Sequence, residues 1–339
     1  MTTGHKEPLV SVIVPAYNCD RYIAEALASL SNQTVKDIEI IVVDDASTDH
    51  TADVVAAHAA SDPRIRLVRR QSASGRPSCA RNDGMRAARG EYVALLDADD
   101  VSLPTRLASC VAAMRRTGAR FAFADYQHIH QATGKVEAQS VLRSMRFLEK
   151  TARYMDHVGD ATFLCPVSFR AFLLTSTPVN TPTVVFKREL VVREALWFDE
   201  SIVCSEDVDL WFRFAEHTQF VFVNEIHSLN RRHSASLTAR NQRATQIDAI
   251  TVRKAHLKRL RQTLSRSEAA AADSAIAQML WELAYWDWCY GNPGDARAGF
   301  VQSWRTRPTI GAATGFLKAF FPRRFALEAR DWASRRKLA

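Results

Sequence analysis

The sequence has no apolar run approaching the ~18 residues that a membrane-spanning helix needs, so no spanning segment is expected. Its first hydrophobic stretch, Leu9 to Val14, is short and is followed at once by Pro15 and Asn18, unlike a secretory leader. The expectation is a cytoplasmic protein. The six cysteines (Cys19, Cys79, Cys110, Cys165, Cys204, Cys289) show no C-x-x-C spacing. They read as reduced structural thiols, not as a thiolate metal site. No G-x-G-x-x-G follows a strand, which excludes a dinucleotide-dependent dehydrogenase. No glycine-rich loop with a lysine follows the first strand, which weighs against a nucleotidyltransferase. Repeat arrays, low-complexity linkers and interleaved aromatic–basic modules are also missing, so neither a solenoid nor a nucleic-acid binder is indicated.

The 339 residues are 47% hydrophobic and 24% charged, a soluble globular composition. They suffice for one domain of ~250 residues and a smaller addition. The formal net charge of +8 suits an anionic partner: nucleotide phosphates, anionic lipid or nucleic acid.

Strand and helix signals alternate through the first hundred residues. Leu9 to Val14, Ile38 to Val43, Arg64 to Val68 and Glu91 to Leu96 read as strands. Helical spacing fills Asp20 to Leu30, a segment from about Thr51, Cys79 to Ala88, and Pro104 to Arg116, with Ser47 or Asp49 and then Ser102 as candidate caps. Repeated β-α-β units imply parallel strands with helices on both faces, and ligands bind beyond the carboxyl ends of such strands. Three of those ends carry polar clusters: Pro15-Ala16-Tyr17-Asn18, Asp44-Asp45 and Asp97 to Asp100. They are expected on one rim.

Further on, Phe121 to Tyr126, Thr183 to Phe186 and Phe220 to Val223 read as strands, and Ser205-Glu206-Asp207 opens an amphipathic helix through Phe214. Residues 134–182 are mixed, with helical pieces expected around Arg143 to Met155 and Val167 to Leu174. Beyond about Ala239 the chain reads as helical, including one hairpin around Gly291-Asn292-Pro293-Gly294.

The sharpest feature is Leu95-Leu96-Asp97-Ala98-Asp99-Asp100, an apolar strand ending in three carboxylates. Carboxylates resist burial and repel one another, and a hard divalent cation relieves both with oxygen ligands. The pattern reads as a metal–diphosphate site.

With these residues in view, the chain resembles glycosyltransferase family 2, the inverting nucleotide-sugar transferases of GT-A fold, over roughly residues 8–240. The matching pieces are V-S-V-I-V-P-A-Y-N (10–18), E-I-I-V-V-D-D-A-S-T-D (39–49), A-R-N-D-G (80–84), G-E-Y-V-A-L-L-D-A-D-D (90–100), F-D-E (198–200), S-E-D-V-D-L-W-F-R (205–213) and N-R-R-H (230–233). Each is weak alone; their order and separation make them specific. Leu196-Trp197 stand where the family often has a glycine pair. The resemblance implies an α/β fold with a mostly parallel sheet and a C-terminal helical extension. Residues 1–238 would form the catalytic domain, with a nucleotide-sugar half at about 8–126 and an acceptor half at about 127–238. Residues 239–339 would form the helical region.

It also implies roles. Tyr17 stacks on the nucleobase, and backbone groups of Pro15 and Ala16, beside Asn18, meet its edge; the ordinary alternative is a rim turn. Asp45 accepts the N3–H of uracil, supported by Asp44. Arg81, and with it Arg76, reaches the diphosphate or a uracil carbonyl. Asp99 ligates Mg²⁺ or Mn²⁺, Asp97 touches the ribose or the metal, Ala98 lies between them on the donor side, and Asp100 either joins this cluster or caps the next helix. Asp207 is the general base, with Glu206 on the acceptor side. Trp211, one turn on, stacks a sugar or packs in the core. Arg231 and Arg232 neutralise the departing diphosphate, and His233 completes the metal shell. Gly84 and Gly90 read as packing and turn residues.

The implied partners are a nucleoside diphosphate sugar, UDP-linked by preference, and a glycan or lipid-linked glycan acceptor of the bacterial surface. The basic, Phe-rich tail from about Ile310 to Leu338 either packs on the catalytic domain or rests on an anionic membrane at its inner face. The competing readings are a nucleotidyltransferase of similar fold and a non-catalytic adaptor acting through the helical tail.

Overall fold

The computed structural model describes residues 7–131, 133–234 and 236–320. They form two compact units whose boundary falls between Ala239 and Arg240, with Leu174–Ser176 grouped in the second.

The first unit runs β1 (Val10–Ala16), α1 (Ile23–Ser31), β2 (Ile38–Asp44), α2 (Thr51–Ser61), β3 (Ile65–Arg69), α3 (Pro77–Ala87), β4 (Tyr92–Leu95), β5 (Val101–Ser102), α4 (Arg106–Thr117) and β6 (Phe121–His130). There follow α5 (Val141–Ser144), α6 (Phe147–Thr151), β7 (Asp156–His157), β8 (Thr162–Cys165), α7 (Phe169–Leu173), β9 (Val185–Lys187), α8 (Arg188–Glu194), α9 (Glu206–His217), β10 (Phe220–Arg232) and the short α10 (Leu237–Arg240). Among the described residues the strands make one mixed sheet in the order β3-β2-β1-β4-β9-β6-β10-β8-β7, with β5 on β10.

The long ladders are parallel: β1 with β2 and β4, β2 with β3, and β6 with β10. β9 is antiparallel to both β4 and β6, so β6 and β10 run the same way as β1. Every one of these strands except β9 therefore delivers its carboxyl end to the same edge.

The alternation of side chains explains the layers. Val10, Val12 and Val14 point into one core with Leu27, Leu30, Leu107 and Val111 from α1 and α4. On the other face Ile13 meets α3 so closely that a Cβ added at Gly84 would lie 2.3 Å from its Cγ2. At Gly90 an added Cβ would sit 2.6 Å from the Ser11 amide nitrogen, so β4 can lie against β1 only with glycine there. A ring cluster from β6, β9, β10 and α9 (Phe121, Phe186, Phe214, Phe220) fills the second half.

Several expected boundaries move. β6 and β10 are much longer than the apolar stretches at their starts. β10 breaks register near Asn224–His227, a bulge that lets its polar half continue to the rim. Arg231 and Arg232 thus lie within the strand, not after it. The stretch 143–155 breaks into short pieces. Ser102 is not a helix cap: it lies in β5, and its hydroxyl accepts from Arg106 Nε at 2.9 Å. At Leu196-Trp197 the turn comes from Ala195, whose φ of 53° does what glycine would do.

The second unit holds α11 (Gln242–Leu260), α12 (Arg266–Tyr290), α13 (Pro293–Thr306) and α14 (Ile310–Lys318). A capping box of Ser265 and Glu268 starts α12. The Asn292 side chain caps α13 beyond the expected hairpin turn. Phe300, Ala284, Trp288 and Ala296 form the centre of its core. No helix among the described residues is long and apolar enough to cross a membrane. Of the tail from Ile310, residues 321–338 lie outside the described residues.

Candidate active site

The carboxyl ends of β1, β2, β4 and β10 bring the expected clusters to one rim. On the nucleotide side, Tyr17 leaves β1 half exposed (50%), free to offer a ring face. Pro15 and Ala16 stay buried in β1, and the Ala16 carbonyl accepts from the Asp45 amide at 2.8 Å. That backbone joins β1 to β2. Asn18 (φ 47°) and Ala46 (φ 58°) both hold left-handed conformations, a strain that gathers at working sites. The Asn18 side-chain Oδ1 accepts from the Thr48 backbone amide at 2.8 Å and the Asn18 backbone amide donates to Ser47 Oγ, locking the two loops together.

Asp44 is fully buried and accepts from the Ser47 amide and Arg69 Nε. Asp45 accepts from the Ser74 hydroxyl at 2.8 Å and the amides of Ser74 and Gly75, and pairs with Arg70 at 2.9 Å. A base reaches Asp45 only by sharing these oxygens. The 74–75 loop that clasps it was invisible in the sequence. Arg76 donates to the Glu200 carbonyl.

Arg81 is where the structure departs most from expectation. It does not point freely toward a phosphate. It is buried, with Nη2 on Asp97 Oδ1 at 2.7 Å, Nη1 on Glu206 Oε1 at 2.6 Å, and its guanidinium over the Phe198 ring. The two carboxylates hold it firmly in the charged form. Arg81 therefore bridges the end of β4 to the start of α9.

The acidic turn itself is crowded. Burial pushes the Asp97 carboxyl up, the nearby Asp99 and Asp207 push further, and Arg81 opposes them. Asp100 neither caps a helix nor faces solvent. It is 1% exposed and accepts from Asn230 Nδ2 at 3.0 Å and from the Arg231 amide at 2.8 Å. Burial, with Asp99 and Asp97 beside it, raises it well above the usual carboxylate range. Asp100 thereby fixes the end of β10 against the turn, and that puts His233 Nε2 2.7 Å from Asp99 Oδ2. His233 Nδ1 is buried without a partner. Ala98 is buried, leaving only its backbone to face a donor.

Arg231 is also committed elsewhere. Its guanidinium bonds the Asp99 carbonyl at 2.9 Å and Glu25 at 2.5 Å and lies over Tyr22. It braces the rim and does not present itself to a diphosphate. Arg232 is exposed and shares a 2.9 Å contact with His128 Nε2.

Ser205, in the left-handed region at φ 69°, turns the chain sharply into α9. The two carboxylates that follow face different surroundings. Glu206 is buried on Arg81. Burial pushes its carboxyl up to about 7, against the pull of Arg81 and with the push of Asp207. Asp207 is more open: Oδ2 accepts from the Thr181 hydroxyl at 3.0 Å and Oδ1 from the Val208 amide. Trp211 is not an acceptor platform. It is 2% exposed, packed on Phe121, Phe198 and Phe214 in the core. The face of α9 that carries it points inward.

The fold has known counterparts. The solved structure of S. aureus TarS 1–349 in complex with UDP aligns over 96% of this chain and 91% of its own, with TM-score 0.62 and 18% identity. The mannosyltransferase PcManGT from Pyrobaculum calidifontis, in complex with GDP-Man and Mn2+, aligns over 97% and 84%, with TM-score 0.58 and 20% identity. These likenesses show the fold, an α/β GT-A type with a helical extension. Among curated relatives, the chondroitin synthase of Escherichia coli is 27% identical over 268 residues, 78% of this chain and 34% of the relative. An uncharacterized glycosyltransferase of Bacillus subtilis (strain 168), EpsJ, is 46% identical over 93 residues, 27% of this chain and 26% of the relative. The chain thus spans about a third or less of the length of these relatives. The family described as Glycosyl transferase family 2 matches residues 11–173, the stretch that carries the β1, β2 and β4 rim. The likeness to glycosyl transferase family 2 is thus carried by residues 11–173, and the curated relatives of the chain include glycosyltransferases.

Proposed function

We propose that the chain is an inverting, metal-dependent glycosyltransferase that moves a sugar from a nucleoside diphosphate sugar to an acceptor hydroxyl, in synthesis of a bacterial surface glycan. A UDP-linked donor is the first candidate. The TarS complexes hold UDP and UDP-GlcNAc, and the Pyrobaculum enzyme holds GDP-Man. The observation that carries the reading is the Asp97–Arg81–Glu206 bridge. It sets the acidic turn and the Asp207 helix on one edge of the sheet, as donor binding and proton removal together require.

The residues present fit a divalent cation. Asp99 and His233 offer a carboxylate oxygen and an imidazole nitrogen side by side, in a turn where carboxylates crowd one another. Among the described residues no three His, Cys, Asp or Glu side chains form a ready-made cage. The protein would therefore supply Asp99 and His233, and diphosphate oxygens the remaining ligands. Asp97 keeps one oxygen on Arg81. When bound, the cation would supply charge stabilisation for the leaving diphosphate.

The chain's own residues account for the rest. Tyr17 offers its ring to the base, and Asp45 its remaining acceptor capacity. Asp207 takes the proton of the acceptor hydroxyl as that oxygen forms its bond to the anomeric carbon and the carbon–diphosphate bond breaks. One displacement inverts the configuration. Glu206, bonded to Arg81, is held beside this event and is not its base.

The test is release of nucleoside diphosphate from UDP-GlcNAc and GDP-mannose with and without Mn²⁺, for wild type and Asp207→Asn. Metal-dependent release that the variant loses supports the proposal. Release of pyrophosphate from nucleoside triphosphates, with none from the sugars, would replace it with nucleotidyl transfer.

A further inference from the structure

We propose that Thr181 is a positioning residue for Asp207, and that the turn carrying it is clamped in place by the buried guanidinium of Arg106. This rests on Asp207 being the proton acceptor. Thr181 opens a tight turn, Thr181–Thr183, just ahead of β9, in a region without any recognisable sequence pattern. The side chain is almost wholly buried, yet its hydroxyl donates to Asp207 Oδ2 at 3.0 Å. The Val208 amide donates to Oδ1 at 2.7 Å. With one donor on each oxygen the carboxylate plane is fixed, and each oxygen keeps a lone pair for an incoming hydroxyl.

The turn is itself held unusually. The Val184 and Thr183 amides close it on the Thr181 and Asn180 carbonyls. The middle carbonyl, of Pro182, accepts from Arg106 Nη1 at 2.5 Å. Arg106 is fully buried at the start of α4. Its other bonds go to the Leu95 carbonyl, at the end of β4, and to Ser102 Oγ. All three partners are oxygens without charge, and Nη2 has no partner at all. A cation buried this way is costly, and a helix start does not need one. What Arg106 does is tie the strand that leads into Asp97 to the turn that leads to Asp207. The two halves of the site thereby share one support beneath the rim, complementary to the Arg81 bridge above it.

The experiment compares full-length wild type, Thr181→Val, Thr181→Ser and Asp207→Asn. Thr181→Val keeps shape and removes only the donor. Arg81, Glu206, Asp97 and Tyr126 also act on Asp207 and are left unchanged. Hydrolysis of UDP-GlcNAc and GDP-mannose gives kcat and KM for each. The carbon-13 shift of the Asp207 carboxyl at one fixed pH, assigned through Asp207→Asn, reads its hydrogen bonding without turnover. Thr181→Val is expected to lower kcat roughly tenfold with the donor KM unchanged, and to shift the Asp207 carboxyl resonance, because its hydroxyl donor is lost. Thr181→Ser restores both. An unchanged carboxyl resonance in Thr181→Val overturns the proposal, as does an equal loss in the Ser and Val variants. If Asp207→Asn itself turns over normally, the base assignment has failed instead, whatever the carboxyl resonance shows.

Discussion

At the scale of single residues the account turns on how neighbouring carboxylates are told apart. Asp207 keeps open lone pairs, and Asp207→Asn is expected to lower kcat by about 10²–10⁴ while donor affinity, read by calorimetry, changes little. Glu206 is the opposite case. Its carboxyl is held up at about 7 by burial, so between the ordinary carboxylate range and pH 7 the folded chain binds more protons than the unfolded one. Stability then falls as pH rises through that window. Urea midpoints at pH 5 and 7.5 are expected to show a smaller difference for Glu206→Gln than for wild type; an identical difference would refute the assignment. Asp100, buried under Asn230 and the Arg231 amide, predicts that Asp100→Ala frees the end of β10. Activity should drop at least tenfold although Asp100 touches neither donor nor acceptor. Rescue by added Mn²⁺ would be partial, since His233 loses its support and not its ligand atom.

At the scale of elements the rim was legible and its bracing was not. Buried runs ending in Asp44-Asp45 and Asp97 to Asp100 gave strands β1 to β4 and their common edge, because a parallel strand buried on both faces reads as a continuous apolar stretch. The polar half of β10 could not be read that way. Asn224 to Arg232 pair with β6 past a bulge, so their side chains follow neither a continuous nor an alternating pattern. Arg81 and Arg231 misled for a related reason: sequence marks them as cations near a diphosphate, but only folding brings Asp97, Glu206 and Glu25 within reach of them. Trp211 shows that sharing a helix with Asp207 does not mean sharing its surface. The small residues were readable in kind. Gly90→Ala would push a methyl into the backbone of β1, and is expected to destabilise by about 1–3 kcal/mol, seen as a lowered urea midpoint at unchanged slope.

At the scale of the whole molecule two units share one chain, and the catalytic proposal rests on the first. The second has its own aromatic core around Phe300, where the ring lies against Gly315 of α14. Phe300→Ala is expected to cost about 3–5 kcal/mol locally, visible as early loss of helical signal. The claim that joins sequence, fold and chemistry is that Asp99 and His233 hold a cation that in turn holds a nucleoside diphosphate sugar. Calorimetry of the full-length protein with UDP-GlcNAc and GDP-mannose, each with and without Mn²⁺, tests it most directly, with Asp99→Ala as control. The account predicts that one sugar nucleotide binds at least tenfold more tightly when Mn²⁺ is present, and that Asp99→Ala abolishes the gain. Binding that ignores the metal, or no binding of either donor in its presence, would contradict it.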